Sequence, residues 1–78
     1  RKVFFETVIP DQPGELVKLI SIISNSNANI LSITHERSQH NIGMGYTAVS
    51  CELETANEKH VETLFETLKD NHYHVTLK

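Results

Sequence analysis

Long apolar runs, paired cysteines and clustered basic residues are all missing from this sequence of 78 residues. No apolar run approaches the ~20 residues needed to cross a bilayer as a helix, and no signal peptide is visible, so no membrane partner is expected. The single cysteine, Cys51, cannot form an internal disulfide. Nothing therefore calls for an oxidising compartment, and a cytoplasmic setting is expected. Ten acidic residues against seven basic ones give a formal net charge of -3. Lys2, Lys18, Lys59, Lys69 and Lys78 are scattered, leaving no basic stripe to track a phosphate backbone, so nucleic acid is not an expected partner. Length is also in short supply. A chain of this size suits one small domain, excludes two independent ones, and has no room for a typical cofactor-dependent catalytic domain. Cores this small rarely hold more than about 3–5 kcal/mol in reserve, and such chains often gain stability by associating.

The residues of common catalytic and metal sites are equally sparse. No Ser–His–Asp spacing stands out, and Cys51 falls at a core-facing strand position that reads as packing. His72 and His74 would share one strand face, and His35 and His40 are also present, but a metal site needs three or four converging ligands. Glu36, Glu52 and Glu54 form no acid–base constellation. Gly43 and Gly45 fall in a strand-pairing region, not between a strand and a helix, so they make no dinucleotide loop. No catalytic residue and no metal ligand is assigned.

What is present is a strict succession of elements. Val3 to Ile9 is aromatic and β-branched and stops at Pro10, which reads as a first strand. Apolar residues on both its faces suit a central strand. A turn over Pro10-Asp11-Gln12-Pro13-Gly14 follows, with Pro13 suited to the first helical turn and Glu15 placing negative charge at the positive helix end. Leu16, Leu19, Ile20 and Ile23 recur at helical spacing, with Val17 and Ile22 widening the apolar face. Ser24 to Asn27 ends this helix, and Asn27 suits a left-handed position after it. A second strand runs from Asn29 to about Ser38, with Leu31 and Ile33 on one face and Ile30, Ser32 and Thr34 on the other. His40-Asn41-Ile42-Gly43 makes the connection to a third strand, from about Met44 to Glu54. There Val49, Cys51 and Leu53 share one face, opposite Met44, Tyr46 and Ala48. Thr55 to Glu58 matches a capping box for a second helix with a stripe of Val61, Leu64, Phe65 and Leu68. Tyr73, Val75 and Leu77 alternate with polar residues as a short last strand.

This order predicts an α+β, ferredoxin-like βαββαβ fold, a four-stranded antiparallel sheet with two helices on one face. The other face then lacks helical cover, so Phe4, Ile30, Met44, Tyr46 and Ala48 would meet water or a partner. The Asp11–Gly14 loop brings free backbone amides and a helix N-terminus beside a glycine, a place that can receive a carboxylate. Asn29 is expected to return near this end and to offer an amide to the same ligand. The purely structural account gives Gly14 the task of close helix–sheet packing and Asn29 that of capping backbone. Both accounts stand at this point.

Ile9-Pro10-Asp11-Gln12-Pro13-Gly14-Glu15-Leu16, followed by Asn27-Ala28-Asn29-Ile30, resembles the ACT domain, a small regulatory module of amino-acid metabolism, over essentially the whole chain. Asn29 to Arg37, with its His35-Glu36-Arg37, and the Gly43-Met44-Gly45 region are similar to the C-terminal ACT domain of catabolic-type threonine dehydratases, or threonine ammonia-lyases. Ala28 departs from the pattern, standing where such domains often carry glycine. The resemblance implies that residues 1–78 form a single regulatory domain excised from a longer enzyme. It implies a homodimer through sheet-to-sheet pairing, and an amino-acid effector, of branched-chain type, at the interface. The contacts carried over are Asp11, Gln12, Pro13, Gly14, Glu15, Leu16, Asn29 and Ile30. It implies no cofactor in this chain; pyridoxal phosphate belongs to the absent catalytic domain of the parent, so the chain alone is not expected to be an enzyme. The rivals are a ligand-independent dimerisation module, an ACT domain of another amino-acid enzyme, and a small acylphosphatase-like hydrolase. The last would want an arginine in the first loop, where Asp11 and Glu15 stand instead.

Overall fold

The computed structural model describes residues 1–36 and 44–77. In chain order the elements are β1 (Lys2–Pro10), α1 (Glu15–Asn25), β2 (Asn29–Glu36), β3 (Tyr46–Glu54), α2 (Glu58–Asp70) and β4 (Val75–Leu77). Every strand pairing is antiparallel, and the sheet runs β2-β3-β1-β4. This is the expected ferredoxin-like α+β arrangement. Strand β1 is central: it pairs with β3 along its whole length, from Lys2 opposite Glu54 to Pro10 opposite Tyr46, and with β4 at Phe5 to Thr7. Its alternation sends Val3, Phe5, Thr7 and Ile9 into the interior while Phe4 and Val8 stay exposed. Helix α1 contributes Leu19 and Ile23, and α2 contributes Leu64 and Leu68, to the same core as Phe5, Val49, Cys51 and Leu53. Both helices therefore cover one sheet face. Phe65 meets Phe5 edge-on at 5.7 Å between ring centroids, a favoured aromatic geometry.

The ends of the helices are tied in different ways. Asn27, at φ 65°, takes the left-handed position after α1, as its side chain type predicts. After α2 that position falls to His72 at φ 70°. There the His72 N–H donates to the Lys69 carbonyl and the Tyr73 N–H to the Leu68 carbonyl, both at 2.9 Å, closing a Schellman turn. The capping box expected at Thr55 is not formed. Asn57 is the N-cap, its side chain accepting from the His60 N–H at 2.9 Å. Thr55 is buried instead, and its hydroxyl donates to the Arg1 carbonyl at 3.1 Å, fastening the start of β1. His60 Nδ1 accepts from the Ala56 N–H at 3.0 Å. Because that amide is the donor, the ring proton sits on Nε2, 2.6 Å from the Ser26 carbonyl at the end of α1.

Strict alternation fails in β2. Ile30 pairs with Leu53 and Ser32 with Glu52, so Leu31 is an extra residue in a β-bulge. The bulge resets the pleat: Ile30 and Ile33 both pack against the core, and Leu31 is left 41% exposed. The expectation that Leu31 joins Ile33 inside while Ile30 faces outward is thereby reversed. The uncovered sheet face carries Phe4, Val8 and Tyr46 as exposed side chains. Ala48, expected to be open there, is only 1% exposed, because its small side chain lies low between the flanking strands. Met44 precedes β3 in a turn and is fully exposed, and Val17 does not widen the buried face of α1, being 66% exposed. Helix α1 begins after Gly14, so Pro13 is in the preceding turn, not the first helical turn. The expected connection at His40–Gly43, Arg37 and the end of β2 near Ser38 lie outside the described residues.

Candidate functional site

The chain leaves β1 at Pro10 without losing contact with the sheet, since the Asp11 N–H donates to the Gly45 carbonyl at 2.8 Å. Gln12-Pro13-Gly14-Glu15 then closes a turn, with the Glu15 N–H donating to the Gln12 carbonyl at 3.3 Å. Proline sets the second position of this turn, and Gly14 at φ 89°, ψ -17° occupies the third, as a type II turn demands. A Cβ on Gly14 would meet nothing within 4 Å. The glycine is thus required by its backbone angle and not, as the structural account held, by close helix–sheet packing.

Gly14 is also the N-cap of α1, and no side chain caps that end. The first helical bond runs from the Lys18 N–H to the Gly14 carbonyl at 3.0 Å. The amides of Leu16 and Val17, in the turn before it, have no carbonyl within the helix to reach, and the helix dipole adds partial positive charge there. Against this loop lies a cavity of about 420 Å³ lined by Ile9, Pro10, Asp11, Gln12, Pro13, Leu16, His35 and Thr47. Its inner lining holds buried Ile9 and Thr47 and half-buried Leu16, and its rim carries the exposed Asp11, Gln12 and His35. Apolar side chains, an uncapped helix start and a carboxylate at the rim thus lie together around one cavity.

Of the expected site residues, Asp11, Gln12, Pro13 and Leu16 line the cavity, and Gly14 forms the turn between Pro13 and the helix without lining it. Glu15 is turned elsewhere: burial first, and then the Glu15 carboxylate, raise the Tyr73 phenol above its ordinary value. Asn29 and Ile30 do not reach this end of their own chain. Asn29 lies opposite Glu54, which faces Lys2 on its other side, whereas the loop leaves the sheet opposite Tyr46. At about 3.3 Å per residue the separation is roughly 26 Å. A strand parallel to β1 must begin where β1 begins, so the expected return of Asn29 does not occur within one chain. Ile9, Pro10, His35 and Thr47 were not anticipated at the site. The signal for His35 was the two-residue step from Ile33 along β2, which keeps it on the helix-covered face.

A larger groove of about 800 Å³ between the helices is lined by residues such as Ser26, Asn57, His60, Thr63 and Thr67. Its hydroxyls are occupied along α2, Thr63 donating to the Lys59 carbonyl and Thr67 to the Thr63 carbonyl, both at 3.0 Å. Among the described residues, no three His, Cys, Asp or Glu side chains are placed to hold a metal, and no helix is long and apolar enough to cross a membrane.

No family model matches the chain. It is 42% identical over 77 residues to L-threonine ammonia-lyase of Thermotoga maritima, a match covering 99% of this chain and 19% of that protein. The L-threonine ammonia-lyase of Geobacter sulfurreducens is 36% identical over 61 residues, covering 78% of this chain and 15% of the relative. The chain thus spans less than a fifth of the length of these curated relatives. Among solved structures, prephenate dehydratase from Streptococcus mutans superposes with a TM-score of 0.78 at 26% identity, over 97% of this chain and 40% of that one. The ACT domain from GTP pyrophosphokinase of Chlorobium tepidum superposes with a TM-score of 0.71 at 19% identity, over 96% and 94%. With the fold, the loop and these likenesses in agreement, the chain is an ACT domain like that of threonine ammonia-lyase.

Proposed function

We propose that this domain binds a small, branched-chain amino acid at an interface between two copies and passes allosteric control to a threonine ammonia-lyase. The observation that carries the reading is the cavity against the Asp11–Gly14 loop, with an uncapped helix start on one side and Ile9 and Leu16 on the other. The effector's carboxylate would meet the first-turn amides, its ammonium would meet Asp11, and its side chain would lie against Leu16 and Ile9.

Strand β2 is an edge of the sheet. Two copies joined antiparallel along that edge, across a twofold axis, would bring the partner subunit's Asn29 end beside His35 and the loop. The two halves of the expected site, separated within one chain, would then be completed by a homodimer with one continuous sheet. A ligand held at such a junction regulates because it binds one arrangement of the pair better than another. In the parent enzyme, pyridoxal phosphate chemistry would reside in the catalytic domain, and this domain would act on it through the pairing.

The test is calorimetric titration of the 78-residue chain with isoleucine and valine to millimolar concentration, alongside loop amide shifts and sedimentation. Saturable binding is expected, weakened by Leu16→Ala and by Asn29→Ala and accompanied by a shift towards dimer. No heat and no change of loop shifts at saturation would remove effector sensing. A second reading, assembly without a ligand, is favoured by the exposed Phe4, Val8 and Tyr46 on the uncovered face. It predicts a dimer that isoleucine leaves unchanged.

A further inference from the structure

We infer that His35 is a ligand contact in this cavity, reading the effector's carboxylate and making binding follow the proton on its imidazole. The inference deepens the effector reading above and rests on it. Strand β2 places Ile30 opposite Leu53, Ile33 opposite Cys51 and His35 opposite Val49, three positions on the helix-covered face. The first two pack against the core. His35 comes after them, at the end where α1 starts behind the loop, and there the face is occupied by the cavity and not by a helix. A core position would call for a hydrocarbon. An exposed imidazole there can donate to a polar group brought into the cavity.

The cavity supplies that group's other partners from separate elements. Helix α1 contributes Leu16 beside its uncapped start, β3 contributes Thr47, and the loop contributes Asp11, the other titratable side chain among the described lining residues. Glu15 of α1 acts on Tyr73 and does not line the cavity. An α-carboxylate set between the helix start and His35 would place the ammonium towards Asp11. An imidazole gains or loses its proton between about pH 5 and 8. In its cationic form it adds a charge-assisted contact to the carboxylate. An open, solvated pair of this kind contributes little, so the effect is a three- to fivefold change in affinity, roughly.

The experiment is calorimetry of isoleucine binding at about pH 6 and about pH 8, on either side of the ordinary imidazole range. Wild type, His35→Gln, His35→Lys and Asp11→Asn are compared, each verified as folded by circular dichroism. His35 is exposed, so its replacement removes no core packing. Wild type is expected to bind about three- to fivefold tighter at the lower pH. His35→Gln should bind with one affinity at both, near the weaker wild-type value. His35→Lys should hold the tighter value at both. Asp11→Asn should weaken binding yet keep the pH preference, separating its charge from that of His35. Isoleucinol, which lacks the carboxylate, should show no preference between the two conditions. A His35→Gln variant that retains the wild-type pH dependence overturns the inference and leaves the effector reading intact. Absence of isoleucine binding to wild type at both pH values removes the effector reading and this inference with it.

Discussion

Replacing His60 by alanine tests how the two helices are held together. In the wild type the ring does two things at once: Nδ1 accepts from the Ala56 N–H at 3.0 Å and Nε2–H donates to the Ser26 carbonyl at 2.6 Å. The alanine variant keeps the backbone bond from residue 60 to Asn57, so the N-cap survives and the loss is confined to the ring. A neutral hydrogen bond contributes about 0.5–1.5 kcal/mol net. The Ala56 amide is exposed and can turn to water, whereas the Ser26 side is partly buried and leaves a carbonyl short of a donor. The expected cost is therefore about 1–2 kcal/mol, towards the lower half of the sum for two bonds. For a domain of this size that corresponds to a fall in Tm of about 4–16 °C. Thermal and urea unfolding at fixed protein concentration measure it, since pairing would otherwise make Tm depend on concentration. Amide exchange supplies the local readout: the residue 56 amide should exchange faster in the variant, while Leu64 follows only the global change. A fall in Tm under about 2 °C, with unaltered exchange at residue 56, would refute the reasoning, because the two ring contacts would then be worth less than the weakest ordinary hydrogen bonds.

Gly14→Ala should cost about 1–2 kcal/mol through its left-handed φ alone, with no steric addition, and a crystal structure of the variant should show the loop and not the helix displaced. His72→Gly, at the other left-handed position, should raise stability by about 1 kcal/mol in urea unfolding. Deletion of Leu31 should leave the domain folded with an unchanged urea m-value, since Ile30, Ser32 and Ile33 already face consecutive β3 residues without it. Deletion of Cys51 from the paired strand should unfold the domain. Burial pushes the Cys51 thiol up from 9.0 to about 11. The folded chain therefore holds this proton more tightly than the unfolded one, so stability is fully present below about pH 9 and is lost as pH rises towards 11. The loss amounts to about 2–3 kcal/mol at most, and Cys51→Ala should flatten that part of the stability–pH curve; an identical slope in both proteins would contradict the assignment.

The architecture was readable because the elements are amphipathic at clear periods. Val3, Phe5 and Ile9 step by two and by four, and Leu64 and Leu68 by one helical turn, so these residues identify their buried face without help from the rest of the chain. The misreadings came from choices that a local pattern leaves balanced. Thr55 and Asn57 are both good caps, and the decision fell to Thr55's hydrogen bond with Arg1, at the far end of the sequence. Ile30-Leu31-Ser32-Ile33 has apolar residues for either face, and the pairing with β3 selects the bulged alternative. The loop motif located one wall of the cavity, but its other wall depends on strand order. Asn29, at the start of the second strand, is expected to return to that end, while the register sends His35 there.

The bulge at Leu31 also limits what the outer edge of β2 can join. Among the described residues of β2, an incoming strand would find a regular ladder over Ser32 to Glu36, and the extra residue at Leu31 would throw the backbone donors and acceptors out of step at that one point. Cross-β stacking needs six or seven residues in unbroken register with matched faces. The bulge interrupts such a run along the described part of this edge. The residue that breaks the alternation inside the sheet thus also breaks it for any strand stacked outside, which disfavours open-ended growth along this edge.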